Sequence, residues 1–101
     1  MRQDAVVKNL ERAAQLAIDV ATHIIRIKKL NLPKESKDVF SSLRSNLILS
    51  KAIEQKMKNM VGFRNIAIHE YKKLDMNVVI SIVENHLVDF ENYMTEIFNA
   101  P

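Results

Sequence analysis

Nine consecutive residues, Phe63 to Tyr71, hold a guanidinium (Arg64), an amide (Asn65), an imidazole (His69) and a phenol (Tyr71). The surrounding pattern predicts a helix, where each residue turns the side-chain direction by about 100°. Asn65 and His69, four apart, then share a face, as do Arg64 and Tyr71, seven apart, with Ile68 between them. Arg64 and His69 are five apart and leave the helix about 140° from each other. For both to act on one atom, the helix must bend, the arginine must reach around, or a second copy of the segment must complete the site.

These groups suit phosphodiester cleavage in RNA without a metal, in which the neighbouring 2′-hydroxyl attacks phosphorus. The reaction needs a base for that hydroxyl, an acid for the departing 5′-oxygen, and positive charge at the crowded phosphate. Histidine serves as acid or base near neutral pH, and the arginine fork matches phosphate oxygens. Asn65 could hold the imidazole or a phosphate oxygen. One chain supplies one such histidine for two proton transfers, so a homodimer with two motifs at a twofold axis is expected. Spacing alone leaves a structural reading open: Arg64 paired with a carboxylate, His69 capping a carbonyl, Tyr71 in the core.

The same residues, Arg64-Asn65-Ile66-Ala67-Ile68-His69-Glu70-Tyr71, resemble the Arg-x4-His-x-Tyr signature of HEPN-domain toxins of the HepT type. Gly62-Phe63 before it, Leu74-Asp75 after it, and the Asn9–Ala13 and Ala17–Ala21 stretches extend the resemblance over nearly the whole chain. The resemblance implies a HEPN-like helical bundle and the toxin of a type VII-like pair, an endoribonuclease acting on tRNA or mRNA with no cofactor. It assigns the ribonuclease roles to Arg64 and His69 and matches the polar residue after the arginine to Asn65. It makes Tyr71 the acceptor of AMP groups from an antitoxin with a minimal (MNT-type) nucleotidyltransferase fold. Family members usually carry one more helix ahead of the one that starts here, so a chain lacking that helix is expected to lean on a partner chain. The alternative is a non-catalytic helical module that binds nucleotide or docks to a nucleotidyltransferase.

The elements that must position the motif can be read from composition and periodicity. At 101 residues, 48% hydrophobic, the chain is expected to form one domain over residues 1–101. One Gly and two Pro disfavour a many-stranded sheet, and the lack of Cys removes disulfides and thiolate chemistry. A net charge of +3 permits an anionic partner without demanding one. No apolar run approaches the roughly 20 residues of a membrane span and no secretory leader opens the chain, so a cytoplasmic protein is expected.

Asp4 is the expected cap of a first helix running to about Leu30. Val6, Leu10, Ala13, Ala17 and Ile24 form one apolar stripe of it, and Val7, Ala14, Ile18, Ala21 and Ile25 another. So wide a surface predicts several neighbouring helices, with apolar area left over for a homodimer. Pro33 stops this helix, Ser36 is expected to cap a short second one, and Leu47, Ile48 and Leu49 to tuck a connector onto the core. Ser50 should cap a third helix through the motif, with Gly62 permitting a bend or close contact. Asp75 or Asn77 should cap a last helix whose core face is Val79, Val83, Leu87, Phe90, Met94, Ile97 and Phe98. The fold class is all-α, an up-and-down bundle of three long helices and one short one. Lys51, Lys56, Lys58, Lys72 and Lys73 flank the motif, and Lys58, Lys72 and Lys73 are the candidate nucleic-acid contacts, against a solvated face. His23 and His86 lack metal-ligand spacing, and Tyr93 reads as packing.

Overall fold

The computed structural model describes residues 2–70 and 73–100, with side chains from residue 5 onward. Four helices follow one another: α1 (Arg2–Ile27), α2 (Asp38–Ser45), α3 (Lys51–Glu70) and α4 (Met76–Asn99). The described residues contain no strand, as expected from the scarcity of turn residues.

Helix α1 packs against all three others, so its double stripe is met within the chain. Leu10, Ala14, Ala17, Ala21 and Ile25 have no exposed surface, and the three alanines let the neighbouring backbones close in. Val7 and Ile18 are buried as well, Val6, Ala13 and Ile24 are part-exposed, and the apolar area that α1 leaves uncovered lies mainly at Leu16 (49% exposed) and Ile27 (64%). Tyr93 of α4 closes the centre. Its ring meets Phe40 edge-on at 5.6 Å and Phe90 at 6.3 Å, and its hydroxyl donates to the Ala17 carbonyl at 2.8 Å. Burial pushes that phenol's pKa well up, so it stays a neutral donor.

Helix ends depart from the sequence expectations in instructive ways. Helix α1 already includes Arg2, so Asp4 lies inside it rather than capping it. It ends at Ile27, short of Leu30, because Lys29 turns left-handed (φ 57°). The Leu30 N–H then reaches back to the Ile25 carbonyl (2.9 Å) and the Lys29 N–H to that of Arg26 (3.1 Å), closing a Schellman turn. Helix α2 ends the same way at Leu47 (φ 64°), with Ile48 N–H bonded to the Leu43 carbonyl at 2.8 Å. Ile48 and Leu49 are buried as expected, whereas Leu47 is 86% exposed. Ser36 does not cap α2; Lys37 stands at that position without a side-chain bond, and entry is by a backbone turn from Glu35 and Ser36.

Two caps do form as read. The Ile53 N–H donates to Ser50 Oγ (3.2 Å), and the Glu96 carboxylate accepts both the Ser50 N–H and its hydroxyl at 2.8 Å, tying the start of α3 to the end of α4. Asp75 accepts from the Asn77 N–H at 2.9 Å and starts α4. Along α4, Val79 and Val83 are buried and Leu87, Phe90, Met94 and Ile97 pack on the core, but Phe98 is 84% exposed, on the solvent side of a helix whose neighbours Ile97 and Ala100 still meet the core. No helix among the described residues is long and apolar enough to cross a membrane.

Candidate functional site

Arg64, Asn65 and Ile68 face α1 across a cleft whose other wall is Glu11, Arg12 and Gln15, enclosing about 290 Å³. The arginine is aimed by neutral partners. Its Nε–H donates to Asn65 Oδ1 (3.2 Å) and an Nη1–H reaches Gln15 Oε1 (3.5 Å). Gln15 is itself oriented, since its Nε2–H donates to Asp19 Oδ1 one turn on at 2.9 Å. The described partners of Arg64 are thus amide oxygens and not a carboxylate. The guanidinium keeps its charge and its remaining donors for an anion.

His69 is exposed, makes no hydrogen bond with the described residues, and does not line this cleft. The angular offset read from the sequence therefore persists: α3 continues as one helix through Gly62 and does not bring Arg64 and His69 together within one chain. Gly62 supports no close contact, since a Cβ there would meet nothing within 4 Å. Asn65 turns its oxygen to Arg64 rather than to the imidazole.

Of the candidate phosphate contacts, Lys58 is engaged with Glu54 at 3.1 Å, which Arg44 approaches at 3.9 Å. Burial pushes the Glu54 carboxyl up, but hydrogen bonds from Ser41 and Lys58 and the charges of Lys58 and Arg44 outweigh it and hold the group below the usual carboxylate range. Lys73 is exposed beside Glu70 at 3.5 Å. Tyr71 and Lys72 lie outside the described residues. No group of three or more His, Cys, Asp or Glu among the described residues could hold a metal. His23 is exposed; His86 is half-buried against Phe63, ring centres 5.7 Å apart, with Asp89 4.0 Å from its Nδ1.

The sequence pattern missed Glu11, Arg12 and Gln15, which fall on the polar strip that Lys8, Glu11, Arg12, Gln15, Asp19, Thr22, His23 and Arg26 form beside the apolar stripes of α1. The signal lay in that strip's i, i+4 run, but only the pairing of α1 with α3 shows which residues it meets.

The sequence model of the family described as "Ribonuclease HepT-like" matches residues 1–97. The chain belongs to the HepT-like ribonuclease family. It is 40% identical over 92 residues to the mRNA nuclease HepT of Shewanella oneidensis, spanning 91% of this chain and 69% of that one. Among solved structures it resembles a toxin–antitoxin complex with AMP-PNP (TM-score 0.84, 39% identity, 94% of this chain and 72% of that one). It also resembles a tri-AMPylated Shewanella oneidensis HEPN toxin in complex with MNT antitoxin (TM-score 0.83, 40% identity, 94% and 71%). This HepT-like chain accordingly has the all-α HEPN fold, and it is an endoribonuclease of the toxin–antitoxin type rather than a non-catalytic module.

Proposed function

We propose that this HepT-like toxin cleaves RNA without a metal, through a site composed of Arg64, Asn65 and His69 from two copies of the chain, and that an MNT-type nucleotidyltransferase antitoxin silences it by AMP transfer to Tyr71. The observation that carries the reading is Arg64 held over an α1–α3 cleft by two amide oxygens, with no carboxylate among its described partners. A phosphate of the RNA backbone completes that fork. The 2′-oxygen attacks phosphorus and its proton passes to one His69; the phosphorus–5′-oxygen bond breaks and that oxygen takes a proton from the other His69. The products are a 2′,3′-cyclic phosphate and a free 5′-hydroxyl. Because His69 points away from the Arg64 cleft of its own chain, a twofold pairing of two α3 helices is what supplies both proton carriers.

Silencing uses the phenol oxygen of Tyr71, which attacks the α-phosphorus of ATP in the partner enzyme and releases pyrophosphate. The support is the place of Tyr71 two residues after His69 and a relative that is tri-AMPylated in its MNT complex. Each AMP adds a diester negative charge and a base, which oppose an incoming RNA strand. Lys58, Lys72 and Lys73 would strengthen RNA binding, Lys58 after releasing Glu54. The test is RNA cleavage in excess chelator, with analysis of the upstream end and sedimentation at micromolar concentration. Cyclic phosphate ends and a dimer are expected. A strict metal requirement, or full activity as a monomer, overturns the composite site. For silencing, Tyr71→Phe should cleave RNA yet escape neutralisation by the partner and ATP.

A further inference from the structure

The wall of the cleft opposite Arg64 carries two ionisable groups that phosphate cleavage alone does not use, Glu11 and Arg12, and its α3 wall carries a half-exposed Ile68 beside the arginine. We propose that this α1 wall makes the cleft a single-nucleotide subsite: Arg12 is a second ligand to the phosphate held by Arg64, and Glu11 recognises the hydrogen-bond donors of the attached nucleoside. The inference rests on the ribonuclease reading above and adds to it what the substrate touches next to the broken bond.

Three observations carry it. A volume of about 290 Å³ sits at the lower edge of small-molecule clefts, about 300–1,000 Å³, enough for one nucleotide, and the cleft is open, so a strand can continue out of it. Two arginines from different helices bracket the same space, an arrangement that grips phosphate oxygens from two sides, while Gln15 is occupied in orienting Arg64 and acts as a positioning residue. Finally, a carboxylate in a cleft that receives a polyanion is repelled by phosphate. It is tolerated there if it meets a donor-rich edge, and a carboxylate accepts only. Guanine, with two parallel N–H groups on one edge, matches its two oxygens, and the apolar face of Ile68 suits a base or sugar surface.

The arrangement predicts opposite responses to one substitution. In the His69→Ala protein, where chemistry is stopped, binding of 5′-GMP and of inorganic phosphate is measured by NMR titration of the α1 and α3 amides. Glu11→Gln should weaken 5′-GMP about tenfold, the scale of one charged hydrogen bond, and leave phosphate unchanged or tighter. Arg12→Ala should weaken both about tenfold, with partial recovery in Arg12→Lys. In the enzyme with His69 intact, Arg12→Ala should raise KM about tenfold and lower kcat as well, because Arg12 touches the phosphate at which the bond breaks. Glu11→Gln moving both ligands the same way, or Arg12→Ala moving neither, overturns the subsite. If the chain fails to cut RNA but shows the opposed binding responses, the ribonuclease reading fails and the subsite stands; if it cuts RNA and the α1 variants change neither KM nor binding, the subsite alone fails.

Discussion

Between Lys51 and Val61, helix α3 buries Ile53, Met57, Met60 and Val61; from Gly62 to Glu70 it buries Ala67, while Ile66, Ile68 and His69 are exposed. The first half begins under the Ser50 cap and the Glu96 clamp. The second half carries the guanidinium, the amide and the imidazole. One continuous hydrogen-bonded helix thus anchors in the core at one end and presents chemistry at the other, a division that keeps the functional side chains on a rigid element. It also separates stability from activity along a single helix, so each half can be broken without the other.

The largest separation should come from the exposed half. Arg64→Ala and His69→Ala are each expected to lower RNA cleavage by about 10²–10⁴-fold, the range for losing a proton carrier or an electrostatic stabiliser. Thermal stability should stay within about 0.5 kcal/mol, as for surface changes. Cleavage by purified variants beside their melting curves checks this; a matched fall in both would mean that the second half is structural after all. The buried half should behave inversely. Met57→Ala is expected to destabilise by about 2–5 kcal/mol, with the folded fraction retaining the wild-type rate. Denaturant unfolding combined with activity per folded molecule reads it out, and a specific loss of activity would show that the two halves are coupled.

A smaller effect tests the seam between α3 and α4, where Phe63, next to Arg64, rests on His86. Burial lowers the His86 pKa, and Asp89, which also faces Lys56 at 3.7 Å, only partly offsets it. The unfolded chain therefore binds the His86 proton more readily. The associated stability is full above the unfolded value of about 6.5 and is lost as pH falls from there toward the lower folded value. Glu54 acts in a separate window: its folded pKa lies below 4.5, so its stability is lost only as pH falls below that value. Melting temperature against pH should show two successive declines, with the upper one flattened in His86→Leu. Parallel curves for the variant and wild type would show that the seam does not sense this proton.

The separation of the two halves was partly legible in the sequence. The helical repeat of Ile53, Met57, Met60 and Val61 announced the buried half, and Arg64, Asn65 and His69 announced the other through residue type and spacing. The 140° offset between Arg64 and His69 was also readable, because it follows from helix geometry alone. What could not be read was tertiary: that Gln15 would reach Arg64 depends on the register of α1 against α3. The left-handed turns at Lys29 and Leu47 were hidden because neither residue is Gly or Asn, the types that normally mark such positions. Leu47, read from its apolar type, and Phe98, read from its place in the helical repeat, both misled, because residue type and periodicity report what a residue prefers and not whether a neighbour is there to cover it.

The smallest effect probes the boundary itself. Gly62 stands where the buried half gives way to the exposed one, and a Cβ there would touch nothing within 4 Å. Within one chain the glycine is therefore a cost, about 0.8–1.0 kcal/mol of helix stability relative to alanine. Gly62→Ala should raise the melting temperature by about 4–8 °C if that gain is fully realised in a domain of this size. Gly62 shares a face of α3 with Asn65 and His69, close to the exposed Ile66, by the same 100° turn that sets the motif. If two α3 helices pair along this face, as the composite site requires, the missing side chain lets them approach closely, and the added methyl would oppose that approach. The expected outcome is then split: a monomer more resistant to heat, a weaker dimer, and lower cleavage at a given concentration that recovers as concentration rises. Melting, sedimentation and a concentration series of cleavage rates read the three quantities separately. A variant that gains stability and loses neither dimer nor rate would remove this face of α3 from the pairing and place the second His69 by some other contact.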